Sequence, residues 1–317
     1  PEDKQSLAKV VGVLIVFTVA LRLAHLVLIA PTPLAGFHKE FVDSDMWFFD
    51  QWAQRIVAGD WLGRERFHPL AAWQLGAAPA EKWLEWDGAA PAFYKAPFYA
   101  YLVALFTALK APVVLLFALQ AAASGVSAWL LYRVTHRMFG REAGAFAVAL
   151  FALYGPDIHF TTVLLRGPWA VLTTLLVTER LFAVFDRPSP LRAVLAGFAI
   201  AASIIVNEAM TPLVILAPLA IAVSGLTSSA ATRSVAGLAL GILLGIAPVA
   251  VRNVMVGAPP FQVAVTGSVV LAVFNSSSSD PLFFSARPEN FEPMMRSAGL
   301  SMFEVLVACA RSFSSMS

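Results

Sequence analysis

The chain has 317 residues, of which 59% are hydrophobic and 13% charged, with a mean hydropathy of +0.74. That apolar share is far above the usage of a soluble domain, so water is not its main solvent. A net charge of +2 with no basic stripe or tail excludes a nucleic-acid-binding protein, and the single cysteine, Cys309, excludes an internal disulfide.

In chain order, the first apolar stretch is 7–30. It is too long for the core of a signal peptide and lacks a small-residue cleavage site, so it reads as a retained first helix. Stretches at 112–132, 167–185, 191–206, 212–226 and 233–251 approach the length that crosses a bilayer core, and shorter ones lie at 97–109, 142–156 and 261–274. The expectation is an all-α polytopic membrane protein with roughly eight spans in a single transmembrane domain covering 1–317. A start at Pro1 without an initiator Met, and an end just past an apolar stretch, suggest a piece of a longer chain, truncated at its C-terminus.

Residues 31–95 break the pattern. They carry fifteen of the forty-two charged residues and six of the eight tryptophans, which predicts one large extracytoplasmic loop between the first two hydrophobic segments. Within it, Asp45 to Gly59 has helical spacing that puts Phe49, Trp52, Ala53 and Ile56 on one face and Asp50, Gln51, Gln54 and Arg55 largely elsewhere. Gly59 is a natural helix stop, and an amphipathic helix of this kind suits the membrane interface. The rest of the loop, about 60–92, sets Trp61, Trp73, Trp83 and Trp86 among Gly, Pro and charges without a defined period.

After the loop, apolar segments alternate with polar turns at 133–141, 186–192, 228–233 and 252–253. If the end with Lys4 and Lys9 is cytoplasmic, the first loop is outside. A simple hairpin of 97–109 and 112–132 then places Arg133, Arg137 and Arg141 outside as well, against the usual bias of positive charge. Either one of those segments does not cross, or the bias fails. The stretches 156–167 and 207–212 read as broken helix ends at membrane depth, tolerable where protein or a watery cavity satisfies the backbone.

Several residues could carry chemistry. Asp43 and Asp45 stand at the start of the loop helix, where the helix dipole favours an ionised carboxylate. Such a group could deprotonate an acceptor hydroxyl or help hold a divalent metal. The plainer reading is that Asp43, Ser44 or Asp45 caps the helix. Tyr94 and Lys95 close the loop where it re-enters the membrane, and the lysine suits either a phosphate or an interfacial anchor. Arg166 and the Asn207-Glu208 pair interrupt apolar stretches, and they could line a cavity or pair with each other. Asp157 and His159 are further polar candidates but make no metal motif, while His25 and His136 read as structural.

The order of these features, Asp45, then Phe49-Asp50-Gln51-Trp52, then Phe93-Tyr94-Lys95-Ala96-Pro97-Phe98-Tyr99, resembles the first-loop signature of bacterial membrane glycosyltransferases of the protein O-mannosyltransferase and aminoarabinose transferase superfamily. The likeness continues at Leu131 to Gly140, at Arg252-Asn253 and at Phe274-Asn275. It implies a GT-C fold in a bacterial inner membrane. The implied reaction moves a sugar, with inversion, from a polyprenyl-phosphate carrier to an acceptor at the outer face. On this resemblance Asp45 is the base and Asp43 its helper or a metal ligand. Lys95 meets the lipid phosphate, with Tyr94, Arg166, Arg252 and Asn275 as further substrate contacts.

The sequence departs from the family pattern at Phe49, where a tyrosine is expected, at Asn207-Glu208, at Thr266 to Ser268, and in lacking the family's C-terminal domain. These departures support an alternative, a catalytically inactive relative serving as an accessory subunit of a larger membrane complex. A transporter with Arg166 and Glu208 along its path is a third reading, one that requires two similar halves.

Overall fold

In a computed structural model of the chain, residues 2–42, 44–65, 67, 75, 79–81 and 91–266 are described, and among them the regular structure is helical, with no strand. The chain divides into two compact units, Pro1–Gly59 with Phe98–Ile246, and Asp60–Pro97 with Ala247–Ser317.

The first unit begins with α1, Glu2–Ile29, and a 3-10 turn, Pro33–Gly36. Two helices of the first loop follow, α2 (Phe37–Glu40) and α3 (Asp45–Val57). It resumes with α4 (Phe98–Ala108), α5 (Val113–Phe139), α6 (Arg141–Leu153), α7 (Gly155–Phe160), α8 (Gly167–Asp186), α9 (Pro190–Val206), α10 (Leu213–Ala222) and α11 (Ser228–Val256), whose last turns belong to the second unit. Four segments are long and apolar enough to cross a bilayer: Leu7–Ile29, Val113–Phe139, Gly167–Asp186 and Ser228–Val256. These are the properties of a helical membrane protein. Phe98–Ala108, Pro190–Val206 and Glu208–Ala222 are apolar but shorter. The expected segment 142–156 is interrupted at Tyr154, between α6 and α7, and most of 261–274 lies outside the described residues.

The end of α4 has a local cause. Lys110 adopts φ 52°, and Ala111 precedes Pro112, a pair that disfavours continued helix. With 11 residues, α4 is about 16 Å long against a bilayer core of about 30 Å. The hairpin drawn from the sequence therefore does not hold as two full crossings.

Packing fixes the direction of each neighbour. His38 of α2 faces Asp50 of α3, Phe49 of α3 meets Tyr99 of α4 with ring centroids 5.1 Å apart, and Tyr99 donates to Gln120 of α5 at 2.7 Å. A Cβ on Gly125 would overlap Val19 of α1. The start of α5 thus lies beside the C-terminal end of α1, and the two helices run antiparallel. Ion pairs of Arg133 with Glu179 and Arg137 with Asp186 align α8 with α5. The Arg166–Glu208 pair brings the end of α9 back to the start of α8. Glycines set the next contact: a Cβ on Gly197 would overlap the Leu238 carbonyl, one on Gly241 the Val194 carbonyl, and one on Gly245 the Ala201 methyl. Backbones approach this closely only where side chains are minimal, so α9 and α11 run side by side in the same direction.

This arrangement collects Lys9, Arg133, Arg137, Arg141, Arg187, Arg192 and Arg233 at one end of the unit, the end where α1 begins. At the opposite end lie the first-loop helices and the Arg166–Glu208 pair.

Burial on α3 follows the expected face: Phe49, Trp52, Ala53 and Ile56 are buried, joined by Phe48. Protein covers that face. Phe49, fully buried, packs on Tyr99, so α3 spends its apolar side on α4. Gly59 takes φ +118°, in keeping with its role as the stop.

In the second unit, Val265 and Thr266 donate backbone N–H groups to the carbonyls of Phe93 and Tyr94 at 2.9 and 3.0 Å, tying 91–97 to the segment after α11.

Candidate functional site

Each expected site residue can be placed from its helix outward. Ser44 is the N-cap of α3, its Oγ accepting from Trp47 N–H at 3.2 Å. Asp45 is therefore the first helical residue rather than the cap, and its side chain is exposed at the positive end of the helix dipole. Asp43, and Asn275 near the other terminus, lie outside the described residues.

Arg166 sits just before α8 and forms a two-pronged pair with Glu208: Nη1 bonds Oε2, and Nη2 bonds Oε1 at 3.0 Å. Of the two readings left open by the sequence, the ion pair is the one formed. Asn207 adds a cap, its Oδ1 accepting from Ala209 N–H at 3.3 Å.

In the second unit, Lys95 and Tyr94 are half-buried in the segment that pairs with Val265 and Thr266. Arg252 is buried. Its Nε donates to the Leu62 carbonyl and its Nη2 to the Gly63 carbonyl, both at 2.6 Å, and its guanidinium lies 3.8 Å from the centroid of the Phe93 ring. Neighbouring Asn253, fully buried, donates to the carbonyls of Pro259, Pro260 and Gln262. This pair clamps two loops against the end of α11, a positioning task that uses the donors a phosphate contact would need. Gly63, at φ +53°, leaves room for the clamp, since a Cβ there would come within 2.9 Å of Arg252 Nη2.

The sequence reading missed the most buried polar group of the first unit. Arg22, in the first span, is fully buried and donates Nε and Nη2 to Asp157 Oδ2 at 3.2 and 2.6 Å. It also reaches the carbonyls of Thr18, Ala152 and Phe151 at 3.0, 3.5 and 3.2 Å. The last two lie in the final turn of α6, so one guanidinium both pairs with Asp157 and reaches a helix end. Gln120 completes the network: Oε1 accepts from Tyr99, while Nε2 donates to the carbonyls of Thr161 and Val163, which lie in the break between α7 and α8. An arginine placed in the middle of an apolar run was the available signal.

A search for related families, curated proteins and solved structures finds no match to this chain.

Among the described residues, no group of three or more His, Cys, Asp or Glu side chains is arranged to hold a metal ion. His25 and His159 approach edge to face at 6.3 Å, but two rings alone do not make such a group.

Proposed function

We propose that this chain is a multi-pass membrane glycosyltransferase of the GT-C type in a bacterial inner membrane, moving a sugar with inversion from a polyprenyl-phosphate carrier to an acceptor outside. The reading rests on the resemblance of the first-loop motifs, and the observation that carries it furthest is the exposed Asp45 carboxylate at the start of α3. The bias of charge supports the orientation, because the arginine-rich end gathers with the start of α1 and leaves α3 at the other side. On this topology α9, the broken pair α6 and α7, and the chain from Glu208 through the short α10 to the start of α11 return between the four long helices, while α4 stays on the outer side.

The chemistry asks little of an acid, since a lipid phosphate is already a good leaving group. Asp45 takes the proton of the acceptor hydroxyl as its oxygen bonds the anomeric carbon. The bond to the phosphate oxygen breaks, and Lys95 balances the charge left on the phosphate. Tyr94 stands beside Lys95, and Asp43 is the natural helper of Asp45 or its partner in binding a divalent metal. Arg166 and Arg252, further substrate contacts on the resemblance, each make their bonds within their own unit.

A second reading, an inactive accessory subunit of a membrane complex, is favoured by that same engagement of both arginines. The two separate in an assay of the full chain with a polyprenyl-phosphate sugar donor. The enzyme releases free polyprenyl phosphate, and Lys95→Met weakens the use of donor by at least about tenfold, the effect of losing one charged contact. No turnover with any donor tested would favour the accessory subunit.

A further inference from the structure

Away from the first loop, the arginine-rich end holds a cavity of about 260 Å3 between the last turns of α5 and α8. Arg133, His136 and Arg137 line one wall, Glu179, Phe182 and Asp186 the other. Arg133 bonds Glu179 at 2.6 Å and lies 4.9 Å from the centroid of Trp129. Arg137 pairs with Asp186 and lies 4.6 Å from the Phe182 ring. Arg180 is 3.1 Å from Glu179 Oε2 but is not aligned to hydrogen-bond it.

Arg133 and Arg137 face two carboxylates across the recess, Arg180 beside Glu179 adds a third cation next to it, and each guanidinium carries five N–H donors, more than its carboxylate can take. His136 Nδ1, which is buried, has no hydrogen-bond partner, while Glu179 Oε2, an acceptor that a phosphate cannot satisfy, stands 3.1 Å from Arg180. Buried polar groups in a finished site are normally satisfied, so the recess is one whose polar inventory is incomplete. Its depth is equally specific. It sits at the ends of two spans, beside the half-exposed Trp129 and the exposed Met138 and Phe139, where lipid headgroups meet a helical protein. Basic pockets between helices at this level suit phosphate headgroups.

We propose that this recess binds the phosphate of an anionic phospholipid from the leaflet facing the arginine-rich end, with Arg133 and Arg137 as the donors. The ligand's acyl chains would follow the apolar outer surfaces of α5 and α8, a contact that inorganic phosphate cannot make.

The test titrates short-chain phosphatidylglycerol onto the purified full chain in neutral detergent, with phosphatidylcholine and inorganic phosphate at matched ionic strength as comparisons. Phosphatidylglycerol should bind at least about tenfold more tightly than phosphatidylcholine, and inorganic phosphate should not displace it. Arg137→Gln should weaken it about fivefold, the equivalent of one arginine near a headgroup. The paired variant Arg137→Gln with Asp186→Asn leaves net charge unchanged and removes the exposed ion pair as a unit. It should lose the same affinity, whereas Arg192→Gln with Arg233→Gln, two exposed arginines outside the recess, should change it less than about twofold. Equal binding of both lipids, displacement by inorganic phosphate, an unaffected paired variant, or an equal loss in the Arg192 and Arg233 variant would each overturn the assignment.

Discussion

Asp157 and Asp45 occupy nearly the same local position, the first turn of a helix, and end in opposite circumstances. Asp157 is 7% exposed and held by Arg22, whose remaining donors reach the carbonyls of α6. Asp45 is exposed at the start of α3, where Ser44 has already supplied the cap. What differs is burial: Asp157 is closed inside the first unit, whereas Asp45 stays exposed, as a group must be if it is to reach a substrate.

The comparison breaks most visibly if Arg22 is removed. Arg22→Met leaves Asp157 buried without its cation and takes donors away from the last turn of α6, and should cost about 3–5 kcal/mol of stability. Denaturant titration in mixed micelles would measure it. Arg137→Met, whose ion pair is partly exposed, should cost no more than about 1 kcal/mol in the same titration.

Gly241→Ala probes the apolar packing beside that polar interior. Its Cβ would overlap the Val194 carbonyl of α9, and backbone, unlike the end of a flexible side chain, cannot turn aside. A loss of about 1–3 kcal/mol is expected in the same titration. On the outer side, Ser44→Ala removes only the cap of α3 and should cost about 1 kcal/mol. A larger loss there would mean that α3 is as much a part of the core as α7.

The smallest expected effect is one of pH. Burial is the main cause that pulls the His38 imidazole below its ordinary value of 6.5, with Lys39 adding to it and Asp50 opposing. The unfolded chain therefore binds a proton at His38 more readily than the folded one. Stability from this site is complete above pH 6.5 and declines as pH falls below it. His38→Gln should flatten that decline in thermal unfolding curves recorded between pH 5 and pH 8, the interval that brackets an ordinary histidine.

Much of this could be read from the residues. The composition of 31–95 located the polar loop, the spacing of Phe49, Trp52, Ala53 and Ile56 gave the buried face of α3, and the isolated Arg166 and Glu208 proved to be partners. Other features depend on contacts far apart in sequence. Gln120 looks like a lone polar residue in an apolar helix until Tyr99 and the carbonyls of Thr161 and Val163 surround it. The short α4 was hidden because a run such as Phe98 to Leu109 has the hydropathy of a span without its length. Arg252 was a substrate contact only on the resemblance, and its bonds to the distant Leu62 and Gly63, which make the clamp, leave no mark in the sequence.

The distinction between Asp45 and Asp157 is tested most directly by sugar transfer from a polyprenyl-phosphate donor and unfolding midpoint, measured together for the parent chain, Asp45→Asn and Asp157→Asn. Asp45→Asn should reduce transfer by about 100- to 10,000-fold, the usual weight of a general base, with the midpoint unchanged. Asp157→Asn should lower the midpoint. An active parent whose Asp45→Asn variant keeps full transfer would contradict the account.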